Sequence, residues 1–95
     1  MSFGLNVVYQ TKPGMREEFV SSIVDSGLLD AIRQEDGCLQ YSYFRSVEDE
    51  NCLLLVERWT DCDAQKRHLT TPNIEKLAAI KARCVLDTAL TVYDL

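Results

Sequence analysis

The sequence predicts an α+β fold in which a four-stranded antiparallel sheet carries helices on one face. Three observations lead there. Strand-like and helix-like segments follow the order β-α-β-β-α-β over 95 residues, the length of one domain. The two middle strands are separated by a short polar loop, VEDEN (47–51), which makes them a hairpin. Several strands also carry apolar residues on both faces, more than one layer of helices can cover.

FGLNVVYQT (3–11) is rich in Val, Leu and Tyr and reads as the first strand. KPG turns the chain. Between Met15 and Asp25, the residues Met15, Phe19, Val20, Ile23 and Val24 fall on one helical face. Gly27 interrupts it, and Leu28, Leu29 and Ile32 continue as a second helical piece. EDG (35–37) closes that piece, with Gly37 suited to a left-handed C-cap. CLQYSYFRS (38–46) and CLLLVERWT (52–60) are the hairpin strands. Thr60 or Asp61 can cap a short helix over residues 62–69. TTPN starts another helix, with Thr71 as N-cap and Pro72 at the first helical position; Ile74, Leu77, Ala78 and Lys81 share one of its sides. CVLDTALTVYDL (84–95) is the fourth strand. The order is the split β-α-β pattern of a ferredoxin-like domain.

Hydrophobic residues make up 46% of the chain and charged ones 26%, enough for a folded core and too few charges for a disordered segment. The net charge is −5 with Lys and Arg scattered, so neither nucleic acid nor an anionic membrane surface is an expected partner. No apolar run is long enough to span a bilayer. The opening MSFGLNVVYQTKPG lacks the basic start and apolar stretch of a signal peptide, so a cytoplasmic location is expected. Cys38, Cys52, Cys62 and Cys84 form no C-x-x-C pair, and with one histidine in the chain no zinc set is complete. They read as reduced thiols, mostly buried in strands or helices.

The strand faces carry a further expectation. Phe3, Leu5, Val7 and Tyr9 line one face of the first strand while Val8 lies on the other. The third strand runs from Cys52 to Val56 without a polar residue, and in the second Leu39, Tyr41 and Tyr43 oppose Cys38 and Phe44. A second copy of the same sheet is the natural cover for the uncovered face, which predicts a homodimer with the two sheets face to face.

VERWTDCDAQKRHLTTPNI (56–74) holds the only tryptophan and the only histidine, Trp59 at a strand end and His68 on the short helix. Histidine is the side chain that most readily exchanges a proton near neutral pH, so His68 is a candidate general base; its polar neighbours Gln65, Lys66 and Arg67 also fit a half-exposed surface residue. Ala64, one turn earlier, leaves room above the sheet. Trp59 can wall a pocket or simply close the core. Tyr41, Tyr43 and Arg45 share one face of the second strand, and pairing Tyr41 with Glu57 would bring Trp59 to that face too. Tyr41 and Tyr43 are therefore candidate substrate contacts. Glu57 and Arg58 are further candidates for substrate binding, with an ion pair or a dimer contact the preferred reading. Asn6 sits mid-strand, where Asn is disfavoured, and needs either a ligand or backbone groups as partners.

Gly37, Cys38 and Tyr41, then Glu57 and Trp59, then Ala64 and His68, together with TKPGMREEF (11–19), resemble the antibiotic biosynthesis monooxygenase family of dimeric α/β barrels. The likeness covers nearly the whole chain. It implies a pocket between sheet and helices in which a small aromatic or quinol-like substrate is oxidised by molecular oxygen with no metal or flavin. No G-x-G-x-x-G or other nucleotide motif is present. The resemblance gives Asn6 to the substrate oxygen, Trp59 to the substrate ring and His68 to proton removal. Haem-degrading relatives take an iron ligand from the helix matching PNIEKLAAIKARC, which has no histidine here, so haem degradation is not expected. HLTTPNI (68–74) also resembles isomerases of small phosphorylated sugar-like signals, which would need Arg45, Arg58 or Lys66 to line the pocket. A ligand-binding or regulatory module without chemistry is the third reading the fold allows.

Overall fold

The computed structural model describes residues 2–94. Leu95, the expected end of the last strand, lies outside the described residues, as does Met1. Eight elements follow in sequence: β1 (Phe3–Thr11), α1 (Arg16–Val24), α2 (Leu28–Arg33), β2 (Cys38–Arg45), β3 (Cys52–Trp59), α3 (Cys62–His68), α4 (Pro72–Cys84) and β4 (Val85–Asp94). The sheet order is β2-β3-β1-β4, and every adjacent pair is antiparallel. Each helical connection therefore skips one strand, so that two β-α-β units interleave in the ferredoxin-like α+β architecture the sequence predicts.

Local chemistry sets the boundaries. Gly27 adopts φ 83° between α1 and α2, a left-handed conformation that lets the chain turn without a side-chain clash. Asp61, rather than Thr60, caps α3: its Oδ1 accepts the Ala64 N–H at 2.8 Å. Thr71 precedes α4 with Pro72 in its first turn, but the Thr71 hydroxyl donates to the His68 carbonyl at 2.8 Å instead of capping. Gly37 is left-handed, as expected, yet α2 ends at Arg33; the glycine belongs to the turn that enters β2.

The helices cover one face only. Phe19 and Ile23 of α1, Leu28 and Ile32 of α2, and Leu77 and Cys84 of α4 pack with Leu5, Val7, Tyr9, Leu53 and Leu55 of the sheet. Burying an aliphatic or aromatic side chain of this kind contributes about 1.5–3 kcal/mol. On the opposite face Val8 is 39% and Phe44 49% exposed, and β4 leaves Leu86, Leu90 and Val92 exposed along the sheet edge. Leu39 departs from its expected face. A bulge shifts the β2–β3 register between Cys38 and Gln40, and Leu39 turns out to 57% exposure. All four cysteines are free thiols, and of the four only Cys84 is fully buried.

Candidate functional site

Period-two alternation along β3 carries Leu55, Glu57 and Trp59 to the helix side of the sheet. Pairing of the hairpin sets Tyr41 opposite Glu57 and Tyr43 opposite Leu55, so all five share one face. Fixing the start of α3 at Asp61 places Ala64 and His68, one turn apart, against that face. His68 is 3% exposed, while Lys66 and Arg67 beside it face solvent. The single histidine thus points toward the sheet.

Its ring lies 4.7 Å from that of Trp59 at an interplanar angle of 34°, and 5.7 Å from that of Tyr41 in an edge-on arrangement. Nδ1 is 2.6 Å from Oε1 of Glu35, in the turn between α2 and β2. The other Glu35 oxygen accepts from Asn73 Nδ2 at 2.8 Å. His68 Nε2 has no protein partner among the described residues, and it is not sealed inside the protein as the Tyr43 hydroxyl is. Trp59 donates its indole Nε1–H to Glu57 Oε1 at 3.1 Å.

Between these groups and α4 lies a cleft of about 240 Å³. Leu5, Val7, Tyr41 and Leu77 give it apolar walls, and Glu57, His68 and Lys81 give it polar points. That combination suits a small, largely apolar ligand held by a few polar contacts. Burial pushes the Glu57 carboxyl above its ordinary value, against the lowering influence of Trp59, His68 and Lys81. Burial also raises Tyr41 far above the usual tyrosine range, so its hydroxyl stays protonated. A larger depression of about 720 Å³ lies between α1–α2 and α4, but His68, Tyr41 and Glu57 do not line it. Among the described residues no three His, Cys, Asp or Glu side chains converge on a metal position.

The structure brings Trp59, His68 and Tyr41 together, of which His68 and Tyr41 line the cleft while Trp59 lies buried behind His68; Asn6 and Tyr43 also lie outside the cleft. Asn6 lies on the opposite face of the sheet, between Val56 and Thr91, where it accepts a hydrogen bond from Tyr93 at 3.1 Å. The cause is parity: Leu5 and Val7 point to the helices, so Asn6 points away. Tyr43 shares the face of Tyr41 but not the cleft; it packs edge-on to Phe19 and Tyr41 with its hydroxyl buried and unpartnered. Ala64 does not open space above the sheet. It packs on Gly37, where a Cβ would come within 2.6 Å of the alanine methyl. Glu57 is buried and bonded to Trp59 rather than ion-paired, whereas Arg58 is exposed on the other face. Glu35 carries no local signal in the sequence, because its partner is 33 positions away. None of Arg45, Arg58 or Lys66 lines the cleft; Arg45 pairs with the exposed Glu17 at 2.6 Å.

The model of the antibiotic biosynthesis monooxygenase family matches residues 2–79. A Bacillus subtilis (strain 168) protein named "Putative monooxygenase YcnE" is 34% identical over 88 residues, 93% of this chain and 90% of that one. Among solved structures, a conserved protein from Methanosarcina mazei Go1 superposes with a TM-score of 0.86 at 20% identity, covering 98% of this chain and 91% of that one. A protein described as an antibiotic biosynthesis monooxygenase superposes at 0.84 with 23% identity, covering 98% and 97%. At these identities the structural likeness carries the fold alone.

Proposed function

Because the chain belongs to the antibiotic biosynthesis monooxygenase family, we propose that it oxidises a small aromatic, phenolic or quinol-like molecule with dioxygen in the cleft between the sheet and α3–α4. The observation that carries this reading is the burial of His68 against Trp59, with Nδ1 held by Glu35 and Nε2 left for a ligand. His68 is the base, Trp59, 0% exposed and outside the cleft's lining, backs the His68 ring from behind rather than touching the substrate, and Tyr41 bounds the cleft.

The chemistry follows from the substrate. His68 Nε2 takes the phenolic proton, and the phenolate passes an electron to dioxygen. The aryloxyl radical and superoxide combine at a ring carbon that carries hydrogen, and loss of water leaves a quinone. One dioxygen atom enters the ring and the other leaves as water. The phenol supplies the O–H and C–H hydrogens of that water. Apolar walls favour this sequence by excluding bulk water from the anion. Asn6, on the other face, takes no part in this cleft. The exposed Val8 and Phe44 support a homodimer formed through that face.

Arg45, Arg58 and Lys66 are absent from the cleft, and its one cationic lining residue among the described residues, Lys81, shares it with the Glu57 carboxyl, which weighs against the isomerase reading. The test is oxygen uptake by metal-free protein with a panel of phenols and quinols. Uptake with at least one member, lost in His68→Ala, is the expected result. No uptake with any member, or rates unchanged in His68→Ala, overturns the proposal. A co-purifying ligand recovered unchanged would point to the binding module instead.

A further inference from the structure

We propose that Glu35 is the positioning residue for His68: it holds the imidazole in the Nδ1–H tautomer and so keeps a lone pair on Nε2 for the cleft. The inference rests on the reading of His68 as the base. Its geometric part stands on the contacts alone.

The contact between Glu35 Oε1 and His68 Nδ1 is 2.6 Å, short even for a charge-assisted hydrogen bond. A carboxylate only accepts, so the proton between them belongs to Nδ1 in the neutral imidazole. Nε2 is then the acceptor. The carboxylate is itself fixed, since Asn73 Nδ2 donates to Oε2 at 2.8 Å. Three segments converge on this group: the turn before β2 carries Glu35, the end of α3 carries His68, and the first turn of α4 carries Asn73. Thr71 stands at 3.5 Å from the same Oε2, at the limit of a hydrogen bond.

Exposure differs across the pair. The His68 side chain is 2% accessible and that of Glu35 11%. Glu35, Asp36, Arg67, His68 and Thr71 border an outer depression of about 260 Å³. His68 is therefore a wall shared by the inner cleft and the outer depression. Water can solvate the carboxylate from outside while the imidazole works inside, which avoids the cost of a wholly buried charge. When Nε2 takes a proton from a ligand hydroxyl, the imidazolium forms beside a carboxylate already in place. No side chain has to move, and one proton has passed from ligand oxygen to Nε2. The same division of labour, with one residue reacting and another orienting it, recurs wherever a histidine must present a defined nitrogen.

His68 is the only histidine in the chain, so every imidazole resonance belongs to it. The test is long-range proton–nitrogen NMR of uniformly labelled protein at alkaline pH, with the imidazole neutral, for the wild type and Glu35→Gln. The wild-type ring is expected as the Nδ1–H tautomer, and the variant as a mixture shifted toward Nε2–H. Oxygen uptake in the variant is expected to fall about 10- to 100-fold with the melting temperature kept. A wild-type Nε2–H ring overturns the proposal, as does a variant that keeps the wild-type tautomer. The wild-type spectrum needs no variant to fold. Failure of the base reading looks different: the tautomers behave as described, while His68→Ala leaves uptake unchanged.

Discussion

Trp59 donates its indole N–H to Glu57, two positions earlier on the same face of β3, across 3.1 Å. The bond satisfies a polar atom on each of two side chains that are 0% and 6% exposed. A buried carboxylate left without a donor would cost several kcal/mol. With one donor and partial access to the cleft, Glu57 remains in the core at the price of a raised affinity for its proton. Nothing in Glu-Arg-Trp as a string distinguishes this from a surface ion pair, since Arg58, the residue between them, points the other way.

The pH dependence of stability follows from that burial. Glu57 is pushed above its ordinary value of about 4.5, so the folded protein binds this proton more tightly than the unfolded chain does. Stability from this group is full at acid pH and falls as pH rises from about 4.5 through the raised folded value. Glu57→Gln removes the titration. The difference in unfolding free energy, wild type minus variant, should therefore decline with pH by at most about 1.4 kcal/mol per unit. Denaturant melts from pH 4 to pH 8 measure it, and a flat or rising difference would refute the assignment. Glu17 works in the opposite direction, held down to about 2 by the Arg45 and Arg16 guanidinium groups. It is common to both proteins and cancels in the comparison.

The unpartnered hydroxyl of Tyr43 gives a second expectation. It is sealed in an aromatic cluster, its centroid 6.3 Å from that of Phe19 and 5.9 Å from that of Tyr41. Burial drives its titration well above the usual tyrosine range. A polar atom desolvated without a partner costs about 1–3 kcal/mol, and Tyr43→Phe keeps the ring while deleting that atom. The variant should be more stable than the wild type by about 1 kcal/mol, read as a higher denaturation midpoint at unchanged slope. A loss of stability would mean that the hydroxyl has a partner after all, the neighbouring Tyr41 hydroxyl or a water.

How much was legible in the sequence depended on the range of the interaction. Strand and helix periods, the five-residue hairpin loop and the Asp61 cap are local patterns, and the element order follows from them. Trp59 and His68 stood out because each is unique in the chain, and the hairpin register then brought Tyr41 to them. The resemblance gives Asn6 to the site against the parity of its own strand; Leu5 and Val7, which share one face of that strand, already turn it to the other. Leu39 was misplaced by a bulge that no residue type announces. Glu35 was invisible because its role depends on Asn73 and His68, which meet it only once α3 and α4 have docked.

Gly37 and Gly27 offer a test of close packing around the site. Their backbones are nearly alike, φ 84° and φ 83°. A Cβ on Gly27 would meet nothing within 4 Å, whereas on Gly37 it would lie 2.6 Å from the Ala64 methyl and 2.8 Å from Thr60 Oγ1. Gly27→Ala therefore carries only the left-handed strain of about 1 kcal/mol. Gly37→Ala adds a clash that must push α3 from the sheet, and it should cost at least about 2 kcal/mol more. The displaced helix carries His68, so the Gly37 variant should also shift the His68 ring resonances, while the Gly27 variant leaves them in place. Equal losses of stability in the two variants, with the His68 resonances unmoved, would show that the Gly37–Ala64 contact does not fix α3 on the sheet.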